Sequence, residues 1–330
     1  MNGARVAVAS LGGTITMTSS RPDGRDVAPA LDATDLIRLL PDSAVADVQT
    51  TTLASIPGAW LQFENIAETL DWARSAVRAG AGGAVVVQGT DTIEETAYLL
   101  DLYWGHAEPL VVTGAMRSAH ALGADGPANL AAAIAVAADP SSRERGVLVV
   151  LNDEIHHATW VRKSHSSAPN AFCSTAFGPT GYIAAGYPVY GGRSARARPL
   201  PDRPAAPARV ALLETTLGDR GELLEMVANA GYDGAVVAGF GVGHVSAAFA
   251  DVIERASQLP VVVASRTGAG STHESTYGFA GSESDLISRG AILAGWLDAR
   301  KARILLSCLL GAGGSRADIR GEFDVRGRMS

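Results

Sequence analysis

The stretch Gly89-Thr90-Asp91-Thr92 sets a hydroxyl beside a carboxylate, a pair able to move a proton or hold a cationic group. It follows the apolar run Gly83-Ala84-Val85-Val86-Val87-Gln88 and opens a helical pattern over Ile93 to Leu100. The loop is therefore expected at the carboxyl end of a strand, where open α/β sheets place their ligands. Thr92 and Glu95 have capping-box spacing, and Glu94 and Glu95 suit the positive end of a helix dipole. Thr90 and Asp91 are left open to two readings, an ordinary turn or catalytic machinery. A second hydroxyl ends Leu11-Gly12-Gly13-Thr14 after the strand pattern Val6 to Ser10. Its two glycines allow a sharp turn that leaves the Thr14 side chain open to a ligand. Taken alone, this too reads as a turn, and neither Walker nor Gly-x-Gly-x-x-Gly spacing is present to suggest a nucleotide.

Of the 27 basic residues only Lys163 and Lys301 are lysines. A lysine in a chain that otherwise uses arginine points either to chance or to the one thing arginine cannot do, which is to give up a proton. The loop Gly239-Phe240-Gly241-Val242-Gly243-His244 has Gly-x-Gly-x-Gly spacing and no acidic ribose ligand about twenty residues on, which argues against a dinucleotide cofactor. Adjacent His156 and His157 on a strand face opposite ways, so with His165 they do not make an easy zinc site. The two cysteines, Cys173 and Cys308, suggest neither a disulfide scaffold nor a metal centre. The Gly-x-Ser-x-Gly nucleophile elbow is missing.

The elements that must carry these residues alternate strand and helix from residue 1 to 190, the manner of a mostly parallel sheet. Helices fit Ala33–Leu40, Leu61–Ala79, Ile93 to about Trp104 and Pro127–Ala138. Strands fit Val48–Leu53, Leu110–Thr113 and Val147–Leu151, with a loop at Ala54 to Gly58 and strands and turns over His156–His165 and Phe172–Tyr190. The polar stretch Thr18 to Asp26 reads as a surface loop or lid. Residues 191–208, rich in Pro, Arg and Ala, read as a linker, and the arginines from Arg193 to Arg198 as part of it. A smaller α/β domain follows over 209–330, with strands at Val210–Leu213, Gly234–Ala238 and Val261–Ser265. Its helices fall near Gly221–Ala230, Ser246–Ser257 and Asp298–Leu310. The end, from Ser315 to Ser330, reads as poorly anchored.

At 330 residues two domains are expected. A net charge of -7 with scattered arginines argues against a nucleic-acid partner. No apolar run has membrane-spanning length, and no signal-peptide pattern precedes the first strand, so a cytoplasmic protein without membrane partners is expected.

Together these segments resemble the bacterial-type L-asparaginases. That family's Thr-Gly-Gly-Thr turn and His-Gly-Thr-Asp-Thr loop stand here as Leu11-Gly12-Gly13-Thr14-Ile15 and Gln88-Gly89-Thr90-Asp91-Thr92, each with one outer substitution. The likeness continues through Glu94-Glu95-Thr96-Ala97-Tyr98, Gly114-Ala115-Met116-Arg117, Asp125-Gly126-Pro127-x-Asn129-Leu130, Gly146 to Val150, Phe177-Gly178-Pro179-x-Gly181-Tyr182 and Gly231-Tyr232-Asp233-Gly234. It covers nearly the whole chain in order.

The resemblance implies an amidohydrolase that converts L-asparagine to L-aspartate and ammonia, without metal or organic cofactor. Thr14 would be the nucleophile of an acyl-enzyme. Thr90, Asp91 and Lys163 would form a second cluster that moves protons and holds substrate, with an oxyanion site in the backbone around Gly89 and Thr90. Ser55 would take the substrate carboxylate and Ala115 would line the pocket. His244 and Glu274 would arrive from the second domain of a neighbouring subunit, in a homotetramer built as a dimer of dimers. Three positions depart from the family. Asp26 stands where a lid tyrosine is usual, His244 where an asparagine is usual, and Thr267–Tyr277 is short, which leaves the alignment of Glu274 open. A glutamine-using tRNA amidotransferase subunit and a non-catalytic aspartate-binding module are the competing readings.

Overall fold

A computed structural model describes residues 5–18, 26, 28–41, 47–192, 196–201 and 203–328. The chain divides into two compact units, Met1–Pro199 and Leu200–Ser330. Most of the stretch read as a lid, residues 19–25, and the first part of the arginine cluster, residues 193–195, lie outside the described residues.

The first unit is built on an eight-stranded sheet. In chain order its elements are β1 (Val6–Gly12), β2 (Met17–Thr18), β3 (Ala28–Pro29), α1 (Ala33–Arg38), β4 (Val48–Ile56), α2 (Phe63–Arg78), β5 (Gly83–Val87), α3 (Ile93–Tyr103), β6 (Leu110–Thr113), α4 (Gly126–Ala138), β7 (Val147–Leu151) and β8 (Glu154–His157). The unit ends with β9 (Arg162–Lys163), β10 (Phe172–Cys173), β11 (Gly181–Ala184) and β12 (Tyr187–Tyr190). The strand order is β12-β11-β8-β7-β6-β5-β1-β4. The five strands from β4 to β7 run parallel, and β8, β11 and β12 complete the sheet in antiparallel pairs.

Strands β5, β6 and β7 are buried along their whole length. Continuous Val and Leu runs with no polar alternation are what a parallel strand covered on both faces requires. Helices α1 and α4 share one core with Val8, Val85, Val111 and Leu148, while α2 and α3 pack on each other and on the sheet. Because β1 pairs with β4 on one side and β5 on the other, the chain reverses its winding direction there. The crevice at the carboxyl ends of these three strands is the switch point where such sheets bind ligands.

The second unit has four parallel strands, β13 (Val210–Glu214), β14 (Gly234–Gly239), β15 (Val261–Ser265) and β16 (Ile292–Leu293), in sequential order. Helices α5 (Glu222–Asn229), α6 (Ala247–Arg255) and α7 (Glu283–Ser288) close one core, and α8 (Ala299–Gly311) packs on β13, β14 and β15. Neither α7 nor β16 was anticipated from the sequence. The expectation of a poorly anchored end is overturned. Residues 316–326 form α9 (Arg316–Arg326), opened by a capping box between Ser315 and Asp318 and anchored by fully buried Ile319 and Phe323. No helix among the described residues is long and apolar enough to cross a membrane.

Candidate active site

The crevice is held together by glycine backbone. Gly12, which ends β1, and Gly13, which follows it, have φ of +99° and +87°, a region that a side chain rarely adopts. A Cβ on Gly13 would strike the backbone of Gly89, and one on Gly89 would come within 2.7 Å of Gly58 N. The turns after β1, β4 and β5 therefore touch main chain to main chain, which brings Thr14, Ser55 and Thr90 to one edge of the sheet. Thr14 starts a short 3-10 turn, Thr14–Thr16, fastened by Thr16 Oγ1 donating to Gly13 O at 2.8 Å. Ser55 was expected in a loop; it lies instead near the end of β4, exposed, because that strand extends to Ile56.

Thr90 and Asp91 occupy another 3-10 turn that runs into α3. The anticipated capping box is not formed: Thr92 makes no side-chain cap bond. Its hydroxyl donates to Gly58 O at 3.1 Å and accepts from Gln88 Nε2 at 3.2 Å.

Lys163 on β9 completes the cluster. Its Nζ donates to Thr90 Oγ1 at 2.9 Å and to Asp91 Oδ1 at 2.7 Å. The side chains differ in exposure, Lys163 nearly covered and Asp91 about two-thirds exposed. Glu94, buried in the first turn of α3, accepts the backbone N–H of Lys163 at 2.8 Å, which fixes the lysine's strand against the Thr90–Asp91 turn. The sequence reading gave Glu94 only a role at the helix dipole. A contact spanning 69 positions is set by the fold and leaves no trace in local spacing.

The Ala115 loop after β6 is stiffened by Asp125, whose carboxylate accepts the N–H groups of Met116 and Arg117 at 2.9 Å each. Asn129 donates to Gly114 O and Asp125 Oδ2. Ala115 is fully buried at this edge. Asp26 is exposed with φ of 55°.

His244 and Glu274 both lie in the second unit. Glu274 is exposed, 4.0 Å from Arg328. His244 meets Glu283, Nε2 to Oε2 at 3.1 Å, and stands edge-on to the rings of Tyr277 and Phe279, each 4.9 Å away. Glu283 is fully buried. Burial alone would raise its pKa, but the backbone N–H groups of Tyr277, Glu283 itself and Thr276, with the His244 ring, outweigh this and hold the carboxyl below its ordinary range. Sequence reasoning missed Glu283; its signal, a Ser282-Glu283 start to a helix, is indistinguishable from routine capping.

His156 and His165 make local contacts of their own. His156 is fully buried on β8, with Nδ1 3.1 Å from Ser174 Oγ. Its Nε2 stands 3.2 Å from Glu154 Oε2 without the geometry of a hydrogen bond. Burial pulls its pKa down to about 4, so the ring is neutral at pH 7. His165 Nδ1 accepts from Ser167 and Ala168 N–H and closes a local turn. Among the described residues no three His, Cys, Asp or Glu side chains are placed to hold a metal ion.

A hydroxyl hydrogen-bonded to a lysine that a carboxylate orients, next to a second hydroxyl on a glycine turn, is equipment for acyl transfer. Comparison with known proteins agrees with that class. Residues 5–194 match the family described as asparaginase, N-terminal, and residues 209–323 match the glutaminase/asparaginase C-terminal domain. The chain belongs to the asparaginase family. It is 39% identical to a probable L-asparaginase of Deinococcus radiodurans, with 97% of each chain covered. It is 32% identical to an L-asparaginase of Bacillus licheniformis, over 93% of this chain and 95% of that one. Among solved structures, a probable cytoplasmic L-asparaginase from Campylobacter jejuni superposes with a TM-score of 0.86 at 31% identity, covering 98% of this chain and 99% of that chain.

Proposed function

We propose that this protein hydrolyses L-asparagine to L-aspartate and ammonia through an acyl-enzyme on Thr14. The observation that carries the reading is the Asp91–Lys163–Thr90 chain, with contacts of 2.7 and 2.9 Å, on a turn whose Gly89 backbone abuts Gly13 beside Thr14. The family membership and the L-asparaginase names of the relatives supply the substrate.

In the first displacement Thr14 Oγ1 bonds to the amide carbon, and the carbonyl π electrons move to oxygen. Backbone N–H groups around Gly89 and Thr90 receive that charge. The hydroxyl proton passes through the Lys163–Thr90 pair to the departing nitrogen, the C–N bond breaks, and ammonia leaves. Lysine suits this task because its ammonium can exchange a proton where a guanidinium cannot. In the second displacement water adds to the ester carbon, the Thr90 hydroxyl orienting it. The Thr14–carbon bond breaks, Thr14 recovers its proton and aspartate departs. Ser55, exposed at the end of β4, takes the substrate carboxylate. Asp91, the exposed member of the cluster, meets its ammonium group.

His244, held by Glu283, is the residue we assign to completing a neighbouring subunit's site within a homotetramer. Ammonia release from L-asparagine, D-asparagine and L-glutamine by the purified protein tests the function. Release from L-asparagine at the highest kcat/KM is expected. Aspartate binding with no release from any of the three would overturn it in favour of a binding module.

A further inference from the structure

Gln88 and Thr92 flank the catalytic turn and take no part in the mechanism above, yet they form a directional relay. Gln88 Nε2 donates to Thr92 Oγ1 at 3.2 Å and to Gly89 O at 3.3 Å; the Thr92 hydroxyl in turn donates to Gly58 O at 3.1 Å. Gly58 opens the turn directly after β4, three residues beyond Ser55 near the end of that strand, and Thr92 belongs to the arm after β5 that carries Thr90 and Asp91. These arms meet at Gly58 and Gly89, where neither backbone leaves room for a Cβ. Thr92 is thus the side-chain pin through that contact.

The relay is maintained against stability. Gln88 is fully buried, and its Oε1 has no hydrogen-bond partner among the described residues. Burying an acceptor without a partner is unfavourable, and an apolar side chain of similar shape would avoid it. Such an orphan in a native interior calls for an explanation, and the donation from the same amide to Thr92 supplies one.

We infer that Gln88 and Thr92 are positioning residues that fix the separation of Ser55 from the Thr90–Asp91 turn, and through it the length of amino-acid amide the site accepts. This rests on the asparaginase reading of the same site. A substrate anchored at one end by Ser55 presents its amide carbon to the catalytic turn only if the two arms hold their spacing. A carbon chain one methylene longer fits a gap that has relaxed by about an ångström.

The test is steady-state ammonia release from L-asparagine and L-glutamine, with melting curves, for wild type, Thr92→Val, Thr92→Ser and Gln88→Met. Thr92→Val and Gln88→Met are expected to raise KM for asparagine about tenfold with a smaller change in kcat. Their asparagine-to-glutamine preference should narrow by a similar factor, and Thr92→Ser should restore both. Gln88→Met, which removes the orphan acceptor, should melt at or above the wild-type temperature while losing kcat/KM, a divergence that a purely structural residue would not give. An active wild type whose Thr92→Val and Gln88→Met variants keep its KM and preference would overturn the relay alone. An equal fall of stability and activity in Gln88→Met would do the same. A wild type that releases no ammonia would overturn the functional reading, and the inference with it.

Discussion

The two lysines of this chain persist for different reasons. Lys301 is fully buried, its Nζ 2.8 Å from Asp298 Oδ2. Burial works against the Asp298 carboxylate, but the Lys301 charge and hydrogen bonds prevail and hold its pKa below the ordinary range. Lys163 instead joins a covered hydroxyl to an exposed carboxylate. Lys163→Arg keeps the charge and removes proton exchange, so kcat is expected to fall by about 10²–10⁴-fold with a nearly unchanged melting temperature. Undiminished turnover in that variant would take Lys163 out of the chemistry. Glu283, satisfied by two loop N–H groups and His244, ties a loop of the second unit to the start of α7. Glu283→Ala is expected to cost about 2–3 kcal/mol in urea unfolding at pH 7. Because its folded pKa is lowered, this stabilisation is present above the ordinary carboxyl pKa and is lost as pH falls through the folded value. The difference between wild type and variant should therefore shrink below about pH 4.

At the scale of elements, the turns after β1, β4 and β5 pack backbone against backbone, and the Thr92 side chain pins two of them together. Gly13→Ala forces a Cβ onto Gly89 at a φ of +87°, and a destabilisation of about 3 kcal/mol or more, or loss of soluble protein, is expected. A Gly13→Ala protein with wild-type stability and activity would contradict the close packing of the arms. The β8 strand carries its own pH signature. His156 has a folded pKa of about 4 against an ordinary value near 6.5. The unfolded chain thus binds the extra proton over that interval, and stability is lost as pH falls from about 6.5 to 4. The shift corresponds to about 3 kcal/mol. Burial raises the Glu154 carboxyl, and that group contributes with the opposite sign. Comparison with His156→Asn in unfolding curves from pH 4 to 7 isolates the histidine, and the variant should show the flatter profile. Of these elements, β5, β6 and β7 were legible because doubly covered strands are unbroken apolar runs. The extra length of β4 was not, since its burial alternates irregularly and Ser55 reads as equally suited to a loop. Thr92 shows the limit of local rules: its capping-box spacing with Glu95 is present, yet a carbonyl 34 residues away captures the hydroxyl.

Over the whole molecule, the fold and the first-unit cluster were readable from the chain because parallel α/β units repeat a simple pattern and the loops at strand ends carry hydroxyl and carboxylate residues. The approach of Lys163 to Thr90, across 73 positions, required the resemblance as well. The C-terminal end misled because α9 is strongly polar, although its Ser315-x-x-Asp318 cap was in plain view. Deleting the chain after Gly314 removes buried Ile319 and Phe323. A loss of at least about 4 kcal/mol in urea unfolding is expected from those two side chains, and an unchanged midpoint would show α9 to be dispensable. If His244 completes a neighbour's site, assemblies mixed from Thr14→Ala and His244→Ala proteins should recover activity that neither parent shows. The most direct measurement of the central claim is the kcat of Thr14→Ala for ammonia release from L-asparagine. A fall of about 10⁴-fold or more, in a protein that melts with wild type and still binds aspartate, is the expected result. Turnover within tenfold of wild type would contradict an acyl-enzyme on Thr14.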